Sequence, residues 1–414
     1  MPAAPSFDRR AATATCRGCG HAGLAPVIDF GLMPASDGFV AVGHAGVQAP
    51  LALAFCPACA LAQLLDTRPP AELFGADYIY LSSMSGSVAT EAAANAAQLV
   101  ERYRLTQQSF AVEIACNDGY LLRHLDARGI RCLGVEPAPV PAAAARANGI
   151  AVIESFFSPD LAREIAHDHG GADIAIANNV LAHVPDPNAL ASAMALLLAA
   201  GGQAVLEVHS LAALVENLQF DTIYHEHASY FSATSAAHLF RRHGLTLLDV
   251  EPIALQGGSL RLHLGRDGTP SDAVARQLDL EATAGVADGT ALTLFAERVQ
   301  EVIATLRQML LSLAAEGKAI AAYGAAAKGT MLLNHIGLDR GVIARVADRN
   351  PHKQGRNVPG VGIPIVAPEA LFADPPDVVL LLPWNLRDEI LDVLAPLRAR
   401  GTRVIVPLPR PEIL

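Results

Sequence analysis

The chain reads as an α/β protein in three parts: a small cysteine-bearing lobe, a central open parallel sheet covered by helices, and a second α/β unit. Three observations predict this. Two Cys-x-x-Cys pairs, Cys16/Cys19 and Cys56/Cys59, lie near the start. From about residue 110 short apolar runs alternate with helical stretches, and from about residue 318 the alternation begins again. With 414 residues, 52% of them hydrophobic and only 17% charged, the chain has material for two or three buried cores. The parts are expected at 1–75, 76–268 and 269–414.

Composition narrows the function classes. A formal net charge of -11 has the wrong sign for a chain that mainly neutralises phosphate backbones, and no basic helix follows the cysteine pairs. The opening "MPAAPSFDRRAATAT" has no apolar signal-peptide core, and "ALASAMALLLAA" halts at Gly201 and Gly202, well short of a membrane span. A cytoplasmic protein is expected, a monomer or small homo-oligomer, with neither nucleic acid nor membrane as partner.

Each cysteine pair, "CRGC" and "FCPAC", offers two thiolates from one tight turn, and two such turns complete a tetrahedral zinc shell. Disulfides are the competing reading, which a reducing compartment disfavours. Four thiolates leave no open coordination position, so the expected role is to fold a small lobe. Cys116 and Cys132 read as small core residues. The segment "ELFGADYIYLSSMSGS" that follows is either a linker packed on the next domain or a substrate-facing loop, with Tyr78, Tyr80, Ser82 and Ser83 supplying stacking and hydrogen bonds.

The central runs "FAVEIA", "RCLGVEP", "IAVIES" and "ADIAIANNV" read as buried parallel strands, and helices are expected from "DGYLLRHLDARG" and "VPAAAARANG". Ligands of such sheets bind at the carboxyl ends of the strands. There stand Glu113, Asn117, Asp118 and Gly119 after the first strand, Glu136 after the second, and Asn178, Asn179 and His183 after the fourth. A carboxylate about twenty residues past the first turn suits ribose hydroxyls. The first turn lacks G-x-G-x-x-G, which a dinucleotide pyrophosphate needs; S-adenosylmethionine carries no phosphate and needs polar groups for its amino-acid end. The residues therefore favour a methyl donor over NAD. After "GGQAVLEVHSL", a fifth strand, the run "GLTLLDVEPIALQGGSLRLHLGR" reads as two strands around a Gly-Gly turn, an ending that suits a Rossmann-like class I methyltransferase domain.

Between these strands lies "DTIYHEHASYF", residues 221–231. A neutral imidazole flanked by a carboxylate and phenols is apparatus for moving protons near pH 7. A metal clamp of His225, Glu226 and His227 is a second reading, set against the projection of neighbouring strand residues to opposite faces and the lack of H-E-x-x-H spacing. A plain polar turn is the third, and Asp221 reads as a cap or turn residue.

The charged helical stretch 270–316 leads to "KAIAAYGAAAKGTMLLNHIG", "VIARVADRNPHKQG", "DVVLLLPWN" and "TRVIVPLP", again parallel-sheet material. "GAAAKGT" is not a Walker A loop, because its lysine precedes the glycine, yet Lys328 at a helix N-terminus suits an anion. The Gly324 turn followed by Asp348 keeps an NAD-dependent oxidoreductase as an alternative.

Taken in order, the paired cysteines, "EIACNDGYLL", "GVEP", "ANNVLAHV", "FDTIYHEHASYFS", "GGSLR", "YGAAAKG", "DRNPHKQGRNVPG" and "LPWNLRDEI" make the chain resemble the sugar C-methyltransferases that act on nucleotide-linked 4-keto-deoxyhexoses. The resemblance implies methyl transfer from S-adenosylmethionine to C3 of a nucleotide-linked sugar, dTDP-linked by preference, through an enolate. It implies His227 as base, Glu226 and Tyr224 orienting it or bonding substrate, and His183 as a donor to the developing oxyanion. It assigns the nucleotide diphosphate to Tyr323, Lys328, Lys353 and Arg356, with Trp384 and Asn385 lining that cleft or capping a strand. Two positions depart from the family pattern, Gln256 and Thr330. O-methylation, with His227 deprotonating a hydroxyl, is the alternative within methyl transfer.

Overall fold

The computed structural model describes residues 6–41, 44, 46–75, 78, 80–254 and 257–414; Gln256 lies outside them. Among these residues three sheets organise the chain. The first is antiparallel and belongs to the cysteine lobe: Ala25–Pro34 pairs with Gln48–Phe55, which pairs with Ala62–Leu64. Its fourth strand arrives from far along the chain. Ser229–Tyr230, the end of the histidine-rich stretch, pairs antiparallel with Gln63 and Ala62.

The central sheet runs Thr246–Ile253, Ser259–Gly265, Leu198–His209, Ala172–Asn178, Phe110–Ile114, Arg131–Val135, Val152–Ile153 from edge to edge. Every residue of Phe110–Ile114 is buried, as expected of a strand covered on both faces. It is flanked in parallel by Arg131–Val135 and by Ala172–Asn178, so the strand order reverses beside it and its carboxyl end opens on a crevice. Ser259–Gly265 returns antiparallel to both neighbours, the hairpin ending read from the sequence. The helix expected across 118–129 is confined to Leu122–Asp126. The chain leaves the first strand through left-handed backbone at Ala115, Asn117 and Gly119 (φ 52°, 51° and 75°), which a right-handed helix cannot absorb. The helix Gly86–Tyr103, capped by Ser85 and burying Ala92, Asn95, Ala96 and Leu99, stands where no element was expected.

In the third sheet Ile365–Val366, Val346–Ala347, Ile320–Tyr323, Val378–Leu381 and Arg403–Val406 are parallel and Glu412–Ile413 is an antiparallel edge. The charged stretch before it forms two helices, Asp272–Thr283 and Thr290–Ala315.

One buried cluster joins Leu53 and Phe55 of the cysteine lobe, Phe220, Ile223 and Tyr230 of the histidine-rich region, Phe295 and Val299 of the long helix, and Ile320 and Leu380 of the third sheet. The lobe therefore shares its core with the C-terminal unit. Full burial of a side chain such as Phe220 or Ile223 is worth about 2 kcal/mol, and these two anchor the segment that carries the histidines. No helix among the described residues is long and apolar enough to cross a membrane.

Candidate active site

The four cysteines of the two pairs bring their sulfurs within 4.8 Å of one another, with Cys16–Cys59 and Cys19–Cys56 each at 3.6 Å. A tetrahedron of zinc–sulfur bonds of about 2.3 Å has edges of about 3.8 Å, whereas a disulfide needs about 2.05 Å. The thiols fit zinc and are not paired as disulfides. Among the described residues no other group of three such side chains is placed to hold a metal. The clamp of His225, Glu226 and His227 is not formed: His225 turns toward the cysteine lobe, its Nε2 at 3.3 and 3.2 Å from the carbonyls of Ala49 and Pro50.

At the crevice, Glu136 accepts from the backbone N–H of Asn117 at 3.0 Å and of Ala138 at 2.9 Å, so the carboxylate pins the turn that leaves the first strand. Asn117 accepts from Ser82 N at 2.8 Å and donates to Tyr80 O at 3.1 Å. Asp118 accepts from the amide and hydroxyl of Ser83. The segment carrying Tyr80 to Ser83 is thereby docked on the turn. Glu113 lies beneath the crevice, 1% exposed, with neither oxygen partnered among the described residues; burial, then the nearby Glu136 and Asp118 carboxylates, push its pKa well above the usual range. Asp118 Oδ1 and Asn178 Oδ1 are buried acceptors without partners among the described residues. Asn179, also left-handed (φ 56°), donates from its backbone N–H to Glu207 O at 2.8 Å. Unfilled acceptors suit S-adenosylmethionine, whose ribose hydroxyls and ammonium group are donors.

The histidines form an aromatic box. His227 Nδ1 lies 2.9 Å from Thr222 O; a carbonyl only accepts, so Nδ1 carries the proton and Nε2 keeps its lone pair. Tyr224 stacks on the ring at 4.1 Å and His183 meets it edge-on at 4.7 Å. Phe74 in turn packs on His183 and on Tyr78. His227 is half-buried, and enclosure, followed by the neighbouring His183, holds its pKa well below that of an ordinary histidine. His183 donates from Nδ1 to Glu226 O at 2.8 Å, and burial lowers its pKa to about 4. Neutral His183 thus presents Nε2 as an acceptor, and the donor role implied for it does not follow from this tautomer. Glu226 Oε2 has no partner among the described residues; burial and the nearby Asp37 carboxylate raise its pKa.

Of the residues assigned to the nucleotide, Lys328 donates to Asn385 Oδ1 at 3.0 Å and sits 5.0 Å above the Trp384 ring. Burial lowers its pKa, opposed by Asp221. Lys353 donates to Ala325 O at 2.8 Å and lies over Phe39 of the cysteine lobe, while Arg356 reaches Phe39 O at 3.5 Å. Tyr323 is not brought to the cleft: it is 4% exposed and packs inside the third sheet's core. Thr330 is also buried, so that departure lies in packing. Asp221 lies in the 3-10 turn Phe220–Thr222, in keeping with its reading as a turn residue, and its buried carboxylate also accepts from Trp384 Nε1 at 2.7 Å. Asp348 receives the Ala325 N–H at 2.7 Å, the same device as Glu136 in the central sheet.

Three residues near the box escaped the sequence reading. Asp37 in "PASDGF" looks like any turn, Arg17 like any filler between cysteines, and His209 like the end of a strand. Only the fold brings them to the histidine-rich segment.

Three family models match the chain: "Putative zinc binding domain" over residues 16–74, "Methyltransferase domain" over 88–250, and "C-methyltransferase C-terminal domain" over 254–409. Among curated proteins, the C-methyltransferase NovU of Streptomyces niveus is 36% identical over 405 residues, 96% of either chain. Of solved structures, the magnesium protoporphyrin IX methyltransferase ChlM from Synechocystis PCC 6803 aligns at 15% identity and TM-score 0.35, over 48% of this chain and 89% of that one. That likeness is too slight to bear on the site.

Proposed function

The chain belongs to the family of C-methyltransferases with an N-terminal zinc-binding domain and uses S-adenosylmethionine, and from that premise we propose that it methylates the carbon beside the keto group of a nucleotide-linked 4-keto-6-deoxy sugar, at C3 of a dTDP-linked substrate. Membership in this family sets the oxidoreductase and O-methyl alternatives aside. The observation that carries the reading is the tautomer of His227: Nδ1–H is committed to Thr222 O at 2.9 Å, which leaves Nε2 as a lone-pair base at the edge of a half-buried aromatic box.

A carbon next to a carbonyl becomes nucleophilic only when its proton is removed. His227 Nε2 takes that proton, and the electron pair moves onto the keto oxygen as an enolate. Depressed basicity keeps the imidazole neutral at pH 7, so it is ready without prior deprotonation. Tyr224, stacked on the base, offers a phenolic donor for the oxyanion, and Glu226 bonds substrate hydroxyls. When bound, S-adenosylmethionine supplies an electrophilic sulfonium methyl; the new C–C bond forms as the S–C bond breaks, and S-adenosylhomocysteine leaves. Lys328 and Asn385 on one side, and Lys353 and Arg356 on the other, hold the diphosphate. Tyr78, Tyr80 and Ser83, on the segment docked to Asn117 and Asp118, face the sugar.

Incubation with a panel of nucleotide-linked 4-keto sugars and carbon-labelled methyl donor, followed by NMR, tests this. Label on C3 is expected. Label on oxygen, or on another ring carbon, refutes the assignment.

A further inference from the structure

We propose that Asp221 and Trp384 are positioning residues, which carry the seat of the C-terminal unit to the imidazole of His227. The inference rests on the reading of His227 as the base. Asp221 is fully buried; its Oδ2 accepts from the Trp384 indole N–H at 2.7 Å, and its Oδ1 has no partner among the described residues. The next residue in the chain is Thr222, whose carbonyl accepts the His227 Nδ1–H. The bond from Trp384 therefore ends one peptide away from the group that fixes the tautomer and direction of the base.

Both ends of this link are held. Phe220 and Ile223, on either side of Asp221 and Thr222, are fully buried in the core shared with the third sheet. Trp384 follows the strand Val378–Leu381, lies beneath Lys328, and is followed by Asn385, to which Lys328 donates. Its ring edge abuts Gly257, where a Cβ would come within 3.1 Å of the indole and 3.0 Å of Gln219. Gln219 donates to Gly257 O at 2.6 Å and accepts from His209 Nε2 at 2.7 Å. One connected set of bonds thus runs from the residues proposed to hold the nucleotide to the proposed base. A simple packing contact would not call for a buried carboxylate, which costs free energy unless it is paired; here it accepts an indole N–H from the C-terminal unit at 2.7 Å.

The test uses the full-length, zinc-loaded chain with S-adenosylmethionine and the substrate identified by the sugar panel. Trp384→Phe keeps the ring and deletes the donor, Asp221→Ala deletes the acceptor, and Asp221→Asn deletes the charge but keeps an oxygen that accepts the indole N–H. Misplacing a catalytic group by about 1 Å costs on the order of 100-fold in rate. We expect kcat to fall about 10- to 100-fold in W384F and D221A, with zinc content and donor affinity unchanged, and D221N to recover most of the loss. Turnover near the parent level in W384F overturns the inference. So does a D221N as impaired as D221A, which would make the charge, and not the bond, the working part. If D221A fails to fold, W384F against D221N decides. His227→Ala is measured alongside: retained turnover there sinks the base assignment, whereas its loss with an unaffected W384F sinks the positioning link alone.

Discussion

Arg17, set between the ligands Cys16 and Cys19, donates to the carbonyl of Ala228 at 2.6 Å and to that of Leu64 at 2.8 Å. Ala228 is the residue after His227, and the strand that follows it completes the lobe's own sheet. The zinc lobe thereby grips the end of the segment whose start is held by Trp384, and Ser229 N donates to Ala182 O, beside His183, at 3.2 Å. The site is assembled where three parts of the chain meet on one stretch.

Arg17→Met is expected to leave the zinc in place and donor affinity intact, while lowering stability by about 2 kcal/mol, the usual worth of hydrogen bonds from a charged group. Turnover should fall with it, because the backbone at Ala228, next to His227, loses its clamp. Metal analysis, urea denaturation and initial rates check this. Zinc removal by chelation should have the larger effect, loosening both knuckles at once.

His227→Ala should reduce kcat by about 10²- to 10⁴-fold, the range of general-base catalysis, and spare donor binding measured by calorimetry. The pH profile gives the sign of its environment. A lowered pKa means the free base persists to lower pH, so kcat/KM should show no inflection near 6.5 and its acid limb should lie below that value. A limb at the ordinary histidine position would contradict the enclosed, neutral ring.

Glu136→Ala removes the acceptors of the Asn117 N–H in the first turn and of the Ala138 N–H after the second strand, and the group expected on the ribose. Donor affinity should drop about 10- to 100-fold, or about 1.5 to 3 kcal/mol. Calorimetric titration with S-adenosylhomocysteine measures it, and unchanged affinity would remove Glu136 from the cofactor site.

Gly257→Ala puts a side chain at φ +96°, against Gln219 and Trp384. Left-handed backbone alone costs about 1–2 kcal/mol, and the contact would displace the indole. Stability and kcat should both fall, without loss of zinc. A variant as active and as stable as the parent would show that the indole does not need this slot.

Much of the chain is legible before folding, because its signals are local. The two cysteine pairs announce their metal through spacing alone. Strand runs such as "FAVEIA" and "ADIAIANNV" announce burial on both faces; carboxyl-end residues such as Glu136 and Asn178 then follow from the parallel-sheet rule. The helix Gly86–Tyr103 carries a local signal too, a Ser85 N-cap and a face of Ala92, Ala96 and Leu99 at helical spacing, although no element was expected there. Tyr323 was misjudged: its place on a strand was clear, but which face of that strand meets the cleft is decided by what packs against it.

The sequence by itself determined the zinc shell, the two parallel-sheet units and the histidine-rich stretch as the candidate site, each written in residues a few positions apart. Only the tertiary structure decided that this stretch is gripped by Arg17 from one end and Trp384 from the other, that His225 faces away, and that His183 and His227 share one box. Those partners are remote in the chain, and the direction of a side chain is set by the long-range core and hydrogen bonds around it, which no local pattern records.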